Sequence, residues 1–308
     1  KANLIIAHHP VIFKNYKNIS GKNYVEKIVA KAIKNDIAVY AAHTNMDGVW
    51  GGVNTKLGEK LGLLNIKILS PKKGELRKLV TFVPDEHSDR VRKAIFDAGA
   101  GNIGFYDQCS FNLHGNGSFR AGENSNPYKG EKGELHFEKE IRIETIFPKH
   151  LERSIVNALL STHPYEEVAY DIYPLDNEFL KVGMGAIGEL PESDEEEVFL
   201  ADLKKIFNLK CIRHSSFQGK KVKRIAVCGG TGAFLLNKAI SSGADAFLTA
   251  DIKYHEYFDA DKKILLVDIG HYESEQVIKD IFYELLTKKN LNFAVHFSEI
   301  ITNPVNYY

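Results

Sequence analysis

The sequence predicts an α/β protein built from two similar α/β halves, with an inserted α+β block of ferredoxin-like order. Near both ends of the 308-residue chain, short apolar segments alternate with amphipathic ones, a pattern typical of strands joined by crossover helices. Between them, residues 79–175 follow the order strand, helix, strand, strand, helix, strand. The length alone favours two domains.

The first apolar segment, Leu4–Ala7, has no polar alternation and predicts a fully buried strand that ends at His8 and His9. Apolar residues at helical spacing predict a helix at 22–35, and a second buried strand follows at 37–42. The order strand, helix, strand predicts a parallel pair with a crossover connection. Two histidines should therefore lie at the carboxyl edge of a sheet, where open α/β folds hold their functional groups.

Two strand ends carry a histidine and a carboxylate four residues apart. His43 and Asp47 follow the second strand, and His271 and Glu275 follow the last one. In a helical turn such residues lie on one face about 6 Å apart, so they can bind one ion or two neighbouring ions. The similarity predicts a pseudo-repeat whose half-sites meet over a single sheet. Each pair alone fits equally well a helix cap with a surface charge.

The inserted block sets the predicted domain boundaries at 1–75 for the first part of the core, 76–178 for the insertion and 179–308 for the second part. Within the insertion, the Gly- and Asn-rich stretch 116–133 predicts an exposed, mobile loop, and His163-Pro-Tyr-Glu-Glu167 predicts a turn. In the second part, the glycines of 229–232 predict a tight turn into a helix rather than a phosphate cradle.

The composition favours a soluble, cytoplasmic protein. Lys plus Arg and Asp plus Glu both number 40, which makes nucleic acid an unlikely partner. The three cysteines are widely spaced, so a disulfide framework and a Cys-type zinc site are disfavoured, and no apolar run is long enough for a membrane span. The chain begins just before its first strand, and we expect an upstream segment to be missing.

Imidazole and carboxylate ligands at three strand ends indicate a metal site for Zn, Fe, Mn or Ni. Five or six ligands exceed the need of one catalytic ion, and a pair of divalent ions that activates water would support hydrolysis. His43 could instead orient a ligand. The candidate set, with Asp251 and His255 as outer members, is His8, His9, His43, Asp47, His271 and Glu275.

Four motifs together resemble the Nif-three-like family, whose members are often labelled GTP cyclohydrolase I type 2 homologues. They are Ile-Ile-Ala-His8-His9-Pro10, Ala-Ala-His43-Thr-Asn-Met-Asp47, Thr-Ala-Asp251-Ile-Lys-Tyr-His255 and Gly270-His271-Tyr-Glu-Ser-Glu275. The resemblance covers nearly the whole chain. It implies two divalent metal ions per chain, with Zn as the first choice, and the ligands His8, His9, Asp47, His271 and Glu275.

The resemblance also implies a homohexameric ring, a trimer of dimers, with the metal sites facing its interior. The insertion would then be similar to the PII signalling and cation-tolerance proteins. In that family several dozen residues precede the His doublet.

Three classes of function follow. The first is a metal-dependent hydrolase of a nucleotide or phosphoester, GTP cyclohydrolase-like by resemblance, with His255 or His43 as the candidate proton-transfer group. The second is a non-enzymatic metal-storage, metal-delivery or regulatory hexamer. The third, a ring that threads nucleic acid, is disfavoured by the neutral composition.

Overall fold

The computed structural model describes residues 2–289 and 291–308. Its backbone contacts divide the chain into two units, one made of residues up to Pro71 with Leu180–Tyr308 and one made of Lys72–Phe179. Each unit has its own buried apolar core. The predicted mixed α/β class is confirmed, with three separate sheets in the described part of the chain.

The first unit begins with a parallel strand pair, β1 (Leu4–Ala7) and β2 (Ala38–Ala41), joined by the helix α1 (Tyr24–Lys34). Asn23 caps the start of α1, since its side-chain oxygen accepts a hydrogen bond from the Glu26 N–H at 3.0 Å. The predicted parallel pair and crossover helix are therefore present.

The prediction that β1 and β2 are buried is wrong. Leu4 and Ile5 are 44% and 48% exposed, and Val39 and Tyr40 are 39% and 58% exposed. The two strands form a two-stranded sheet of their own. An apolar run indicates what a strand is able to bury, but it does not indicate whether another element covers that strand.

Two short helices and a long strand follow: α2 (Thr44–Asp47), α3 (Val53–Lys60) and β3 (Leu64–Lys73). The helix α2 is a single turn directly after β2, with His43 in its N-cap position. His43 and Asp47 are therefore separated by one helical turn, as their spacing predicts.

The second unit contains a four-stranded antiparallel sheet in the spatial order β5, β6, β4, β7. Apolar residues of the two helices pack on one face of the sheet, with Ile95, Ile143 and Ile155 fully buried. The predicted order of strands and helices is present. Its elements are β4 (Leu76–Pro84), α4 (Ser88–Asp97), β5 (Ser110–Arg120), β6 (Leu135–Pro148), α5 (Glu152–Thr162) and β7 (Tyr170–Leu175).

The stretch 116–133 differs from the predicted mobile loop. Its first five residues belong to β5 and pair with β6, and the connection that follows is held by polar contacts. The Asn126 N–H donates to Glu166 Oε1 at 2.7 Å, and Tyr128 Oη lies 2.8 Å from His87 Nε2. Small polar residues are compatible with a β-hairpin edge as well as with a loop, so composition alone did not separate them.

The His163–Glu167 segment forms a turn before β7, as predicted. His163 Nε2 lies 3.0 Å from the Phe82 carbonyl oxygen, and the Tyr165 N–H donates to His163 Nδ1 at 3.1 Å. The Tyr165 hydroxyl donates to Glu140 at 2.8 Å. These polar groups therefore hold the turn against the sheet.

The chain then returns to the first unit and completes a six-stranded sheet in the order β3, β8, β10, β11, β12, β9. The three strands β10, β11 and β12 are parallel, while β8 and β9 pair with them in the antiparallel sense. The elements are β8 (Glu178–Glu195), α6 (Glu196–Ile206), β9 (Arg213–His214), β10 (Lys221–Thr231), α7 (Leu236–Ser241), β11 (Ala246–Ala250), β12 (Leu265–Asp268), α8 (His271–Glu275) and α9 (Ile278–Thr287).

The parallel strands are buried on both faces, which explains their unbroken apolar sequences. One core contains Ile225, Leu248 and Val267 together with residues of α3, α6 and α9. The other contains Phe247 and Leu266 together with residues of α7. The carboxyl ends of these strands therefore form one edge, from which α8 begins.

The two predicted half-sites do not share a single sheet. His43 and Asp47 follow the two-stranded sheet, whereas His271 and Glu275 follow the six-stranded one. The similarity of the two motifs indicated a common local turn but not which strands pair. Among the described residues, no helix combines the length and apolar character needed to cross a lipid bilayer.

Candidate metal centre

Three chain segments bring histidines and carboxylates together in the first unit. The His doublet follows β1, the single-turn helix α2 follows β2, and α8 follows β12, so three strand ends supply the side chains. We call this group the His/carboxylate cluster, and its members are His8, His9, His43, Asp47, His271 and Glu275.

Glu275 lies at the centre of the cluster. Its Oε1 lies 3.6 Å from His8 Nε2, and its Oε2 lies 3.3 Å from His9 Nε2 and 3.1 Å from His271 Nε2. Asp47 Oδ1 lies 3.5 Å from His8 Nε2. The structure therefore brings together all five residues for which the resemblance implies metal ligation.

The four imidazole rings of the cluster lie close to one another. Ring centroids are separated by 4.9 Å for His8 and His9, 5.1 Å for His8 and His43, 5.0 Å for His9 and His43, and 5.4 Å for His9 and His271. Two groups of three residues have ligand atoms within 4.8 Å of one another, and both include His9. His43 belongs to one of these groups, so its geometry is also compatible with ligation.

Three buried polar atoms of the cluster have no hydrogen-bond partner within the described part of the chain: His8 Nε2, Asp47 Oδ1 and Glu275 Oε2. A buried unpaired polar atom costs roughly 1–3 kcal/mol, so native proteins rarely leave several together. Nitrogen and carboxylate oxygen are the donors that Zn, Fe, Mn and Ni accept. The cluster therefore fits divalent metal ions in both donor chemistry and unmet bonding capacity.

Charge and burial shift the pKa values of the cluster in opposite directions. Burial acts against ionisation of Glu275, but the nearby His271 and His8 side chains outweigh it and lower the pKa of Glu275 to about 2. Glu275 in turn raises the pKa of His271 to about 9, although burial opposes this. Burial raises the pKa of Asp47 to about 6. Burial opposes protonation of His8, yet Glu275 and Asp47 raise its pKa.

The other two imidazoles favour their neutral form. Burial lowers the pKa of both His9 and His43, and the neighbouring histidines lower it further. A neutral imidazole has a free lone pair, which is the form that binds a metal ion.

Contacts behind the cluster fix the orientation of two histidines. His8 Nδ1 lies 2.9 Å from the Ala42 carbonyl oxygen, and His271 Nδ1 lies 2.6 Å from Asp251 Oδ2. Thr231 also donates to Asp251 Oδ2, at 2.7 Å. When Nδ1–H donates to an oxygen, Nε2 is left to face the cluster. Asp251, predicted as an outer member, thus orients His271.

The backbone of Gly230 lies next to the cluster, a contact that was not predicted from the sequence. It has φ +61°, and a side chain there would overlap Glu275 Oε1 and lie 3.3 Å from His271 Nε2. Its N–H donates to Ser274 Oγ at 2.9 Å, and its carbonyl accepts from Thr249 Oγ1 at 3.0 Å. Gly230, within β10, therefore makes room for the Glu275 and His271 side chains. The signal available was the pair of glycines at a strand end.

His255 lies outside the cluster. It is an exposed residue of the short 3-10 helix Tyr254–Ala260, and its ring contacts that of Tyr254 at 5.2 Å. No hydrogen bond or ion pair joins it to the cluster among residues 2–289 and 291–308. Of the two candidate proton-transfer groups, the structure brings only His43 next to the metal-ligand candidates. The role of His255 stays a prediction.

Comparison with known proteins agrees with the motifs. The sequence model of the Duf34/NIF3 (NGG1p interacting factor 3) family matches residues 1–304. A protein named GTP cyclohydrolase 1 type 2 homolog from Halalkalibacterium halodurans is 41% identical over 311 residues, which cover 99% of this chain and 84% of that protein. A protein of the same name from Bacillus subtilis is 40% identical over 313 residues, which cover 100% and 84% of the two chains.

A solved structure has the same fold. The crystal structure of a Bacillus cereus protein related to NIF3 superposes with a TM-score of 0.86 at 42% identity, and the match covers 100% of this chain and 84% of that one. The family match, the identities and the superposition all extend over nearly the whole sequence. The chain therefore belongs to the Duf34/NIF3 family.

Proposed function

We propose that the cluster binds two divalent metal ions and that the protein is a metal-dependent hydrolase of a nucleotide or phosphoester. The ligands would be His8, His9, Asp47, His271 and Glu275. The observation on which the proposal depends is the convergence of three buried, unpaired polar atoms from three separate segments. Bound cations would offset their desolvation cost, which is roughly 1–3 kcal/mol for each atom.

Two ions fit the cluster better than one. The proposed set has five ligand residues, whereas a catalytic ion typically takes three protein ligands and keeps one position open. Nitrogen and oxygen donors suit Zn, Fe, Mn and Ni, and the family resemblance makes Zn the first choice. When bound, such ions activate water and polarise the bond that the water attacks.

The cluster is open on one side. The His9 and His271 side chains are 44% and 37% exposed, whereas those of His8 and Glu275 are 5% and 9% exposed. The exposed side faces a cavity of about 1340 Å³ bordered by β1, α8, α9 and residues 293–307. Since small-molecule sites typically measure about 300–1,000 Å³, this cavity has room for a nucleotide.

The contacts of His43 favour it over His255 for proton transfer. The His43 ring lies against His8 and His9, and burial lowers its pKa, so its neutral form can accept a proton near neutral pH. His255 lies outside the cluster, so it would have to reach the substrate without contacting the proposed metal ligands. The names of the two relatives, GTP cyclohydrolase 1 type 2 homolog, make GTP the first substrate to test.

A metal-storage, metal-delivery or regulatory role is the second candidate. His9 and His271 are partly exposed, which would admit a substrate but would also let bound metal ions exchange with solvent.

For either role we propose a cytoplasmic homohexameric ring, a trimer of dimers, as the resemblance implies. The exposed Phe111 and Leu113 on the edge strand β5 support association with further copies. Light scattering of the purified protein measures the subunit number.

The metal proposal is tested by elemental analysis of protein purified without added metal and then reconstituted. We expect about two divalent ions per chain in the wild type and a loss of at least one ion in Glu275→Gln. Glu273→Gln, on the same helix but with its carboxylate on Asn303, is the matched control and should keep both ions. A reconstituted wild type with no stoichiometric metal would rule out the proposal.

Hydrolysis separates the enzyme from the metal carrier. The reconstituted protein is tested against GTP, other nucleotides and phosphoesters, alongside His43→Ala and His255→Ala variants whose metal content has been measured. Loss of turnover with both ions retained identifies the proton-transfer group and supports the enzyme. Full turnover in both variants would contradict a role for either histidine, and no turnover by the metal-loaded wild type would favour the carrier.

A further inference from the structure

Two backbone turns with unusual geometry hold the Asp251–His271 pair. Asp251 directly follows β11 with φ +56°, a conformation that non-glycine residues rarely adopt. Gly270, just before His271, has φ +87°. The geometry of this pair therefore depends on two backbone turns.

One buried carboxylate contacts both turns. Asp268, the last residue of β12, has a side chain that is only 5% exposed. Its Oδ1 accepts a hydrogen bond from the Gly270 N–H at 3.0 Å, and its Oδ2 accepts one from the Ile252 N–H at 3.2 Å. The Arg213 guanidinium also donates to Oδ2. Each amide belongs to a residue adjacent in sequence to a member of the Asp251–His271 pair.

We propose that Asp268 is a positioning residue that fixes His271 in the cluster by holding the two turns that carry His271 and Asp251. The inference rests on the proposed metal-binding function for its biological meaning. Among the residues that the structure describes, no hydrogen bond or ion pair joins the Asp268 side chain to a cluster side chain, so Asp268 would act through the backbone.

The chemistry of this position favours a carboxylate. Two hydrogen bonds from backbone amides and one from a guanidinium require two oxygens that only accept, and hydrogen bonds to an ionised acceptor are roughly twice as strong as neutral ones. Asparagine has the same shape but presents an NH₂ group in place of one oxygen. In Asp268→Asn that group would face either the Gly270 N–H or the Ile252 N–H and Arg213, so at least one turn would lose its hydrogen bond.

Loss of these hydrogen bonds would change the position of His271. Its Nδ1 contact with Asp251 directs Nε2 toward Glu275, at 3.1 Å, and toward His9 Nε2, at 3.4 Å. If the turns relax, the imidazole can rotate or shift without any change in the residues that face the metal. Loss of such supporting contacts typically lowers metal affinity by about 10- to 100-fold.

The chain offers a matched control at the opposite end of the same sheet. Asp245, just before β11, accepts hydrogen bonds from the Lys223 and Arg224 N–H groups at 2.9 and 2.7 Å. Both bonds end on Oδ2, so Asp245→Asn removes the negative charge of a similar backbone-binding carboxylate but can keep its hydrogen bonds, and it does not touch the turns of the cluster. A general effect of removing a carboxylate charge from this sheet would occur in both variants.

The experiment measures Co²⁺ affinity and the visible spectrum of bound Co²⁺ in the full-length wild type, Asp268→Asn and Asp245→Asn. We expect Asp268→Asn to bind Co²⁺ about 10- to 100-fold more weakly with an altered spectrum. Asp245→Asn should match the wild type. Wild-type affinity and spectrum in a folded Asp268→Asn variant would overturn the inference, and so would equal losses in both variants.

A second measurement does not depend on metal. In metal-free protein with ¹⁵N-labelled histidine, at a pH above the His271 pKa of about 9 so that the ring is neutral, NMR reports which ring nitrogen of His271 bears the proton. We expect a single tautomer with Nδ1 protonated or hydrogen-bonded in the wild type and in Asp245→Asn, and a mixture in Asp268→Asn. An unchanged His271 signal would overturn the inference. If the wild type binds no Co²⁺ but its His271 signal still differs from that of Asp268→Asn, only the metal proposal is contradicted.

If Asp268→Asn does not fold, Asp268→Glu replaces it in both measurements. Glutamate keeps the charge and can still pair with Arg213, but its longer side chain cannot reach both backbone amides in the same geometry. The same loss of Co²⁺ affinity and the same tautomer mixture are expected, and wild-type values would again overturn the inference.

Discussion

Asn54 connects α2, which carries Asp47, with β10, the strand next to Glu275. Its side-chain N–H donates to the Asp47 carbonyl at 2.8 Å, and its side-chain oxygen accepts from the Gly229 N–H at 2.9 Å. The residue is only 3% exposed. An amide supplies a donor and an acceptor in one short side chain, whereas a carboxylate supplies only acceptors. Asn54 therefore links the start of the cluster to the strand that backs Glu275.

We predict that Asn54→Leu, which keeps the size but removes both hydrogen bonds, lowers the free energy of unfolding by about 1–3 kcal/mol because buried backbone groups lose their partners. It should also weaken metal binding, since Asp47 and Gly229 lose their link. Urea unfolding and metal titration measure the two effects.

Thr55→Val on the same helix is the control for this prediction. The Thr55 hydroxyl is buried and accepts a single hydrogen bond, from the Gly51 N–H at 3.1 Å, which does not reach β10. We expect a smaller loss of stability and unchanged metal affinity in this variant. Wild-type stability in Asn54→Leu would contradict the prediction.

The side chains of the cluster could be predicted from sequence, but most of the residues behind them, apart from Asp251, could not. Histidine and carboxylate at strand ends indicate metal chemistry by residue type, so His271 and Glu275 were identifiable. Gly230, Ser274 and Thr249 have no such signature, because they act on backbone groups of segments far apart in the chain. Their role depends on tertiary contacts that a single sequence does not contain.

At the scale of elements, sequence periodicity predicted where strands and helices occur better than it predicted which elements pack against them. The strands β10, β11 and β12 have unbroken apolar sequences, and helices cover both of their faces. The strands β1 and β2 have equally apolar sequences but form a separate, partly exposed sheet. Sequence pattern records the preference of a strand, whereas burial depends on which elements pack against it.

Hydrogen bonds connect the start of α1 with the segment that follows the His doublet. Glu26, in the first turn, accepts hydrogen bonds from the Ser20 N–H, the Ser20 hydroxyl, the Lys22 N–H and the Asn23 side chain, at 2.7–3.0 Å. The Lys22 amide and the Ser20 groups lower the pKa of Glu26 below its ordinary value of 4.5. The connection that follows His9 is therefore anchored by one carboxylate.

This anchor makes stability depend on pH with a defined sign. Because the folded-state pKa of Glu26 is lowered, its contribution is fully present above about pH 4.5 and is lost as the pH falls through the folded-state value. We predict that Glu26→Gln is less stable than the wild type at pH 6 and that the difference shrinks toward pH 3. Urea unfolding at a series of pH values measures this difference.

Glu197→Gln controls for the loss of charge in a first helical turn. Glu197 lies in the first turn of α6, is exposed, and has the same favourable position near the helix N-terminus as Glu26. We expect the stability difference for this variant to stay small over the same pH range. An equal pH dependence for both variants would show that the helix dipole, rather than the anchoring hydrogen bonds, causes the effect.

At the scale of the whole molecule, the cluster depends on long-range contacts within the first unit. His9 and His271, whose Nε2 atoms lie 3.4 Å apart, are separated by 262 positions in the sequence. The second unit has a separate core and contains none of the cluster residues. Metal binding should therefore be linked to folding of the first unit and not to folding of the second.

Calorimetry tests this linkage. A ligand that binds only the folded state stabilises it by about 2.7 kcal/mol at a free concentration of 100 Kd. For a unit of roughly 150–250 residues, each kcal/mol raises the Tm by about 2–4 °C. We predict two thermal transitions in metal-free protein, of which only that of the first unit rises, by several degrees, when metal is added. Glu275→Gln should reduce the rise because it removes the carboxylate at the centre of the cluster. A single transition, or an equal rise in both, would mean that the two units unfold together and that the linkage extends over the entire chain.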